Sequence, residues 1–374
     1  MKKVPFWFTS FLSWKLILVS LFLGLFFSNK TYYNPPSFNL YKDMDYWGQA
    51  FMRWDGQVYL TIAKGWYDSK VTDASAFYPL FPFLIRTLAQ FGIDYFYSAF
   101  ILVILFGAGL FYYLYRYSSS KKMILIFLAY PPAFYLNAIY TEVLFLFLLF
   151  GLLDSMYREK RLLIAVFSFL LVFTRGQGFF VAAAVGVYYF VKVFSRERMR
   201  DESPVPLASV TLALGCFTLG TVSFLVFQWL QVGHPFGAFQ AQKFFAFNNS
   251  ILNIFKPMNF LEFMTDGNLK VFDFLKSLND RFFILLNFGL ILIFRKKLKM
   301  VEFLLAASLA ILPAIMGQGG SYIRFSLLSF PLISLAISRS QLPTKKVIFN
   351  SLIVLSCTWQ LILIARFVTN LWVA

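Results

Sequence analysis

The chain has 374 residues, of which 59% are hydrophobic and only 14% charged, where a soluble domain carries roughly 25% charged residues. One hydrophobic core stops growing near ~250–300 residues, so soluble globular enzyme, disordered chain and disulfide scaffold are all excluded as classes. The net charge of +17 comes from 34 Lys and Arg against 17 Asp and Glu. Those cations sit mostly in short clusters between apolar runs, which is a membrane-topology pattern and not a nucleic-acid patch, so no nucleic-acid partner is expected.

The first apolar run, 11–27, follows Lys2 and Lys3 and ends in Phe26-Phe27-Ser28-Asn29. It lacks a small-residue cleavage site and reads as an uncleaved signal anchor. Ten further runs near the ~20 residues needed to span lie at about 95–114, 123–138, 141–156, 162–174, 178–194, 205–230, 281–294, 300–316, 324–338 and 347–367. The expected fold is therefore an all-α polytopic membrane protein, a single transmembrane domain over 1–374 with about eleven transmembrane helices. The two cysteines, Cys216 and Cys357, fall inside apolar runs and offer neither a disulfide framework nor metal spacing.

Cation counting sets the orientation. With the N-terminus in the cytoplasm, the inner loops are short and carry Arg116, Lys121, Lys122, Arg158, Lys160, Arg161, Lys192, Arg196, Arg198, Arg200, Arg295 to Lys299 and Arg339 to Lys346. The long loops, about 28–94 and 231–280, then lie outside, and loops held on a rigid scaffold are where function concentrates. The expected location is a multi-pass membrane protein with its site on the extracytoplasmic or lumenal face, in the plasma membrane of a bacterium or the endoplasmic reticulum of a eukaryote.

In the first outer loop, 47–66 reads as one amphipathic helix: at 100° per residue, Trp47, Phe51, Trp54, Val58 and Ile62 fall within about 80° of each other, with Arg53, Gln57 and Lys64 as a polar stripe. Such a helix would lie in the membrane interface. Asp55 falls at the opposite edge of the apolar face, where partial desolvation can tune a carboxylate toward base strength. The following segment, 76–90, holds Pro79 and Pro82 and reads as a second interfacial helix starting at the prolines, where a missing N–H costs least. Asp43-x-Asp45 is the only Asp-x-Asp pair; such a pair can hold a divalent metal in nucleotide-sugar transferases, but on the outer side, where nucleotide sugars are absent, it reads as a polar loop.

Arg53-Trp54-Asp55-Gly56-Gln57 through Tyr59, followed by Phe77-Tyr-Pro-Leu-Phe-Pro-Phe-Leu-Ile-Arg86, resembles the PIG-V mannosyltransferase family. Tyr130-Pro-Pro-Ala-Phe-Tyr through Tyr140-Thr-Glu142, Thr174-Arg175-x-x-Gly178, Gly233-His-Pro through Gln240 and Gln242, and Tyr322-Ile-Arg-Phe through Pro331 resemble further motifs of that family, in the same order, with Phe325 where Tyr is usual. The resemblance implies a GT-C glycosyltransferase fold, a bundle with interfacial helices in a large first outer loop. It implies an inverting transfer from a polyprenyl- or dolichyl-phosphate sugar, with mannose as the sugar. The acceptor, whether glycan, glycolipid or protein, does not carry over.

Such a transfer needs a carboxylate to take the acceptor's proton; Asp55 is assigned, with Glu142 as the alternate. It needs cations for the departing lipid phosphate, and Arg53, Lys64, Arg175 and Arg324 are the outer-side candidates. Trp54, Gln57, Tyr59, His234, Gln240 and Gln242 are candidates for sugar or acceptor contacts. Glu142 at a helix start is also a good dipole partner, and Arg175 and Arg324 at span ends can also simply reach the interface. No cofactor and no metal are expected, because no His, Asp or Glu cluster has ligand spacing. The alternative class is a transporter or lipid flippase, which would favour ionisable groups deep in the spans.

Overall fold

The structure, a computed structural model, describes residues 4–28, 46–67, 74–194, 205–241, 271–315, 322–340 and 346–369. Every element among them is helical. Five helices are long and apolar enough to cross a membrane: α1 (Phe6–Ser28), α4 (Tyr95–Ser118), α8 (Gln177–Phe194), α9 (Leu207–Val232) and α14, which runs Lys346–Val368. The chain is thus an α-helical, multi-pass membrane protein. In α1 the buried side is Phe11, Trp14, Leu18, Phe22 and Phe26, a helical repeat, while Phe8, Leu12, Leu16 and Ile17 are exposed. A helix apolar on both sides is at home where its outer face meets lipid.

The remaining helices are α5 (Lys121–Ala129), α6 (Glu142–Tyr157), α7 (Arg161–Thr174), α11 (Val271–Phe294), α12 (Met300–Ile315) and α13 (Tyr322–Arg339), with α2 (Asp55–Gly65), α3 (Leu80–Ala89) and α10 (Gly237–Ala241) between the longer ones. Helix α6 is buried along almost its whole length and forms the centre of the bundle. Two helix starts are capped by side chains: the Asp94 carboxylate accepts from the N–H of Phe96 at 2.7 Å, and the Ser120 hydroxyl from that of Met123 at 3.1 Å.

Three expectations change. The run 123–138 is not one helix. Helix α5 has nine residues, about 13 Å of rise, and stops before Pro131-Pro132, where an X-Pro step disfavours helix and an N–H is missing. A 3₁₀ turn, Pro131–Asn137, follows and is bent 98° against α6. The expected helix over 47–66 is likewise broken: a 3₁₀ turn at Tyr46–Ala50 and non-helical backbone at 51–54 precede α2, which begins at Asp55. Finally α11 starts at Val271, about three turns before the expected 281. The second helix of the first loop does start at the prolines, with Pro79 as its N-cap and Leu80 as its first residue.

The helix ends sort into two groups. At one end Arg339 forks onto the Glu302 carboxylate at 2.5 and 3.0 Å and Tyr117 donates to it at 2.6 Å. Nearby in kind, Arg116 and Arg158 pair with Asp154 at 3.2 and 2.8 Å, and Lys121 lies over the Phe6 ring at 5.0 Å. These are the starts of α1, α5 and α12 and the ends of α4, α6 and α13, where the basic loops lie. The opposite ends, joined by the first loop, hold the site described next.

Candidate functional site

The site is assembled on a short stitch between two loops. The carbonyl of Phe51 accepts from the N–H of Ile139 at 2.9 Å, and the Tyr140 hydroxyl donates to the carbonyl of Arg53 at 3.1 Å. Gly56 allows this approach: a Cβ there would lie 3.3 Å from the Ile139 carbonyl oxygen. The stitch places Asp55, first residue of α2, beside Glu142, first residue of α6. Both carboxylates therefore sit at helix N-termini, where the dipole favours negative charge.

Two arginines from distant segments join them. Arg324, near the start of α13, donates through Nη1 to Asp55 Oδ2 at 2.5 Å. Its Nε meets Glu142 Oε1 at 2.7 Å as an ion pair rather than an aligned hydrogen bond. Arg175, between α7 and α8, donates through Nη1 to the same Glu142 oxygen and to Thr141 Oγ1, the latter at 2.9 Å, and through Nε to Gln177 Oε1 at 3.2 Å. The chain Asp55–Arg324–Glu142–Arg175 is thus continuous and balanced in formal charge. Phe325 lies 5.3 Å from both guanidinium centres, and Tyr140 lies 4.7 Å from that of Arg324; aromatic faces suit desolvated guanidinium groups.

The two carboxylates differ in access. The Glu142 side chain is 0% exposed and the Asp55 side chain 26%. Glu142, gripped by both arginines, organises them. Asp55 touches one arginine and keeps part of its carboxylate accessible. Tyr59 is buried, and its hydroxyl shares a hydrogen bond with Thr141 at 3.2 Å. Burial, and to a lesser degree the nearby Asp55 charge, push the Tyr59 hydroxyl up to about 12 against the opposing pull of Arg175 and Arg324. It is a neutral hydrogen-bonding group at any ordinary pH.

The Arg175 turn depends on Gly178. A Cβ there would stand 2.4 Å from the carbonyl oxygen of Leu171 and 3.0 Å from Val172 Cα. Only glycine lets the start of α8 fold back onto the last turn of α7, and the N–H of Gly178 then closes the turn on the Arg175 carbonyl at 2.9 Å.

The other expected residues go elsewhere. Arg53 is 1% exposed, and its Nη2 donates to the carbonyl of Val368 at 2.6 Å; it is a buried contact between the 51–54 turn and the end of α14 rather than part of an outer polar stripe. Gln57 is buried too, so the expected stripe is not a solvated face. Trp54 packs edge-on against Phe367, ring centroids 5.4 Å apart. Lys64 is exposed at the far end of α2, about 14 Å of helix from Asp55. His234 and Gln240 hydrogen-bond to each other at 3.3 Å on the exposed turn before and within α10. Gln242, Asp43 and Asp45 lie outside the described residues. Thr141, Gln177, Tyr140 and Phe325 were not among the expected site residues, although each sits inside a motif that carried one.

No family model and no curated protein matches the chain. Among the described residues no group of three or more His, Cys, Asp or Glu is placed to hold a metal ion.

Proposed function

We propose that the chain is an integral-membrane glycosyltransferase. It moves a sugar, mannose on the strength of the motif resemblance, from a polyprenyl- or dolichyl-phosphate donor to an acceptor on the extracytoplasmic or lumenal side, with inversion. The observation that carries the reading is the pairing of a partly exposed carboxylate, Asp55, with Arg324, backed by the buried Glu142–Arg175 pair. An acid to take a proton and cations to receive a phosphate are what this transfer requires.

In the proposed reaction the donor phosphate takes Arg324 N–H groups that Asp55 holds in the free protein. Asp55 then accepts the proton of the acceptor hydroxyl as its oxygen bonds to C1. The bond from C1 to the phosphate oxygen breaks, and the lipid phosphate leaves carrying the negative charge that Arg324 and Arg175 face. Glu142 keeps both guanidinium groups oriented and takes no proton. The apolar bundle gives the lipid tail its surroundings. The reading has eleven crossings, with the short α5 and its 3₁₀ turn together making one of them and the Asp55 end outside; the basic and acidic pairs gathered at the opposite ends of α1, α4, α5, α6, α12 and α13 support it for those six helices.

The transporter reading draws on Lys15, which is buried midway along α1 with no hydrogen-bond partner for its Nζ among the described residues, as an intramembrane ionisable group is a functional candidate by default. One experiment separates the two. Purified protein is given radiolabelled polyprenyl-phosphate mannose with candidate acceptors. Label moving covalently to an acceptor supports the transferase, and label moving only across reconstituted vesicles supports the transporter.

A further inference from the structure

The turn that presents Asp55 is strained and held from outside. Trp54 adopts φ 43 and ψ −112, a positive-φ backbone that a residue with a Cβ takes only when its surroundings over-determine it. What surrounds it is the last turn of α14. Arg53 Nη2 reaches the Val368 carbonyl at 2.6 Å. Trp54 rests on Phe367 at 5.4 Å, and Tyr140, whose hydroxyl holds the Arg53 carbonyl, lies 6.0 Å from the same ring. The last carbonyls of a helix lack intrahelical partners and carry the negative end of its dipole, so a guanidinium is the side chain best suited to close there.

We infer that Arg53 is a positioning residue: it clasps the 51–54 turn to the end of α14 and so aims the Asp55 carboxylate, rather than binding donor phosphate. Residues 53 and 368 are 315 positions apart, so the last helix of the bundle sets the geometry of the first loop. This rests on the proposed role of Asp55 as base. The clasp itself is a contact between two segments and can be tested without any turnover.

The test uses the full chain with Cys216 and Cys357 replaced by alanine and Asp55→Cys introduced, and measures the rate at which a water-soluble reagent modifies the introduced thiol. Arg53→Met should speed modification several-fold, Phe367→Ala should do the same, and Arg53→Lys, which keeps a donor and a charge, should leave it near the parent rate. If Arg53→Met does not fold, Arg53→Gln, a shorter N–H donor, takes its place and should likewise speed modification. In the chain with Asp55 intact, Arg53→Met should lower kcat about 10- to 100-fold, the scale on which a small misplacement of a reacting group acts. The donor KM should stay within about twofold, and Arg53→Lys should recover most of the rate. A donor KM raised tenfold, with kcat and the thiol modification rate unchanged, would place Arg53 on the phosphate and overturn the inference. If no lipid-phosphate sugar is turned over by the parent protein, the transferase reading fails, while the modification rates still decide the clasp.

Discussion

Replacing Glu142 by Gln tests the centre of the ion-pair chain. Its carboxylate is 0% exposed and faces two guanidinium groups. At 2.7 Å from Arg324 Nε the gross attraction is about 6 kcal/mol at an effective dielectric constant near 20, most of it offset by desolvation. What a mutant reports is different: removing one partner of a buried pair costs about 3–5 kcal/mol, because the other charge stays buried and unpaired. Here Arg324 keeps Asp55, and Arg175 keeps Thr141 and Gln177, so the lower half of that range is expected for Glu142→Gln. Removing both partners should cost less than removing one, so Glu142→Gln with Arg175→Met should regain part of the loss. Thermal unfolding of the purified protein in one detergent, followed by tryptophan fluorescence, compares wild type, both single variants and the double variant. A Glu142→Gln protein as stable as wild type, or a double variant that melts at the sum of the two single losses, would refute the buried charge pairing.

Gly178→Ala should destabilise by about 1–3 kcal/mol, as overpacking does, because its Cβ would lie 2.4 Å from the Leu171 oxygen; melting temperature and folded yield check this. Cysteine at Gln90, an exposed residue at the Asp55 end, should react with an impermeant thiol reagent in intact cells, and cysteine at Ser119, exposed at the basic end, should not; the reverse labelling would invert the proposed orientation. Transfer should survive EDTA, and loss restored by magnesium or manganese would move attention to Asp43 and Asp45. Tyr59 is raised to about 12 by burial from an unfolded value near 10. The stability it contributes is therefore full below pH 10 and is lost as pH rises from 10 to 12. Tyr59→Phe should accordingly flatten the alkaline fall in melting temperature while leaving the pH profile of turnover below pH 9 unchanged.

Much of the bundle is legible because lipid imposes a simple rule. Runs of Phe, Leu, Ile and Val long enough to span stand out between basic clusters, and the start of α3 at the prolines follows from local chemistry. The break at 51–54 was hidden for a physical reason. Trp47, Phe51 and Trp54 keep a helical spacing through a turn that is not helical, since that turn is dictated by Ile139, Tyr140 and Val368, contacts that no local window contains. The same holds for the site. Residue type marked Asp55, Glu142, Arg175 and Arg324 as candidates, but their joining into one chain is a product of tertiary packing across 269 positions. Arg53 illustrates the converse, since a cation in a loop reads as solvated until the helix end it caps is in place.

In the proposed reaction Asp55 acts as the base and is held by Arg324 until donor phosphate arrives. The most direct measurement is a single-turnover transfer assay on Asp55→Asn with donor prebound, alongside equilibrium binding of the labelled donor. The transfer rate should fall about 10²–10⁴-fold, the range for general base catalysis. Donor affinity should be equal or higher, because the phosphate no longer competes with a carboxylate for Arg324. Near-normal transfer by a well-folded Asp55→Asn protein, or a collapse of donor binding with the rate of bound donor unchanged, would contradict it.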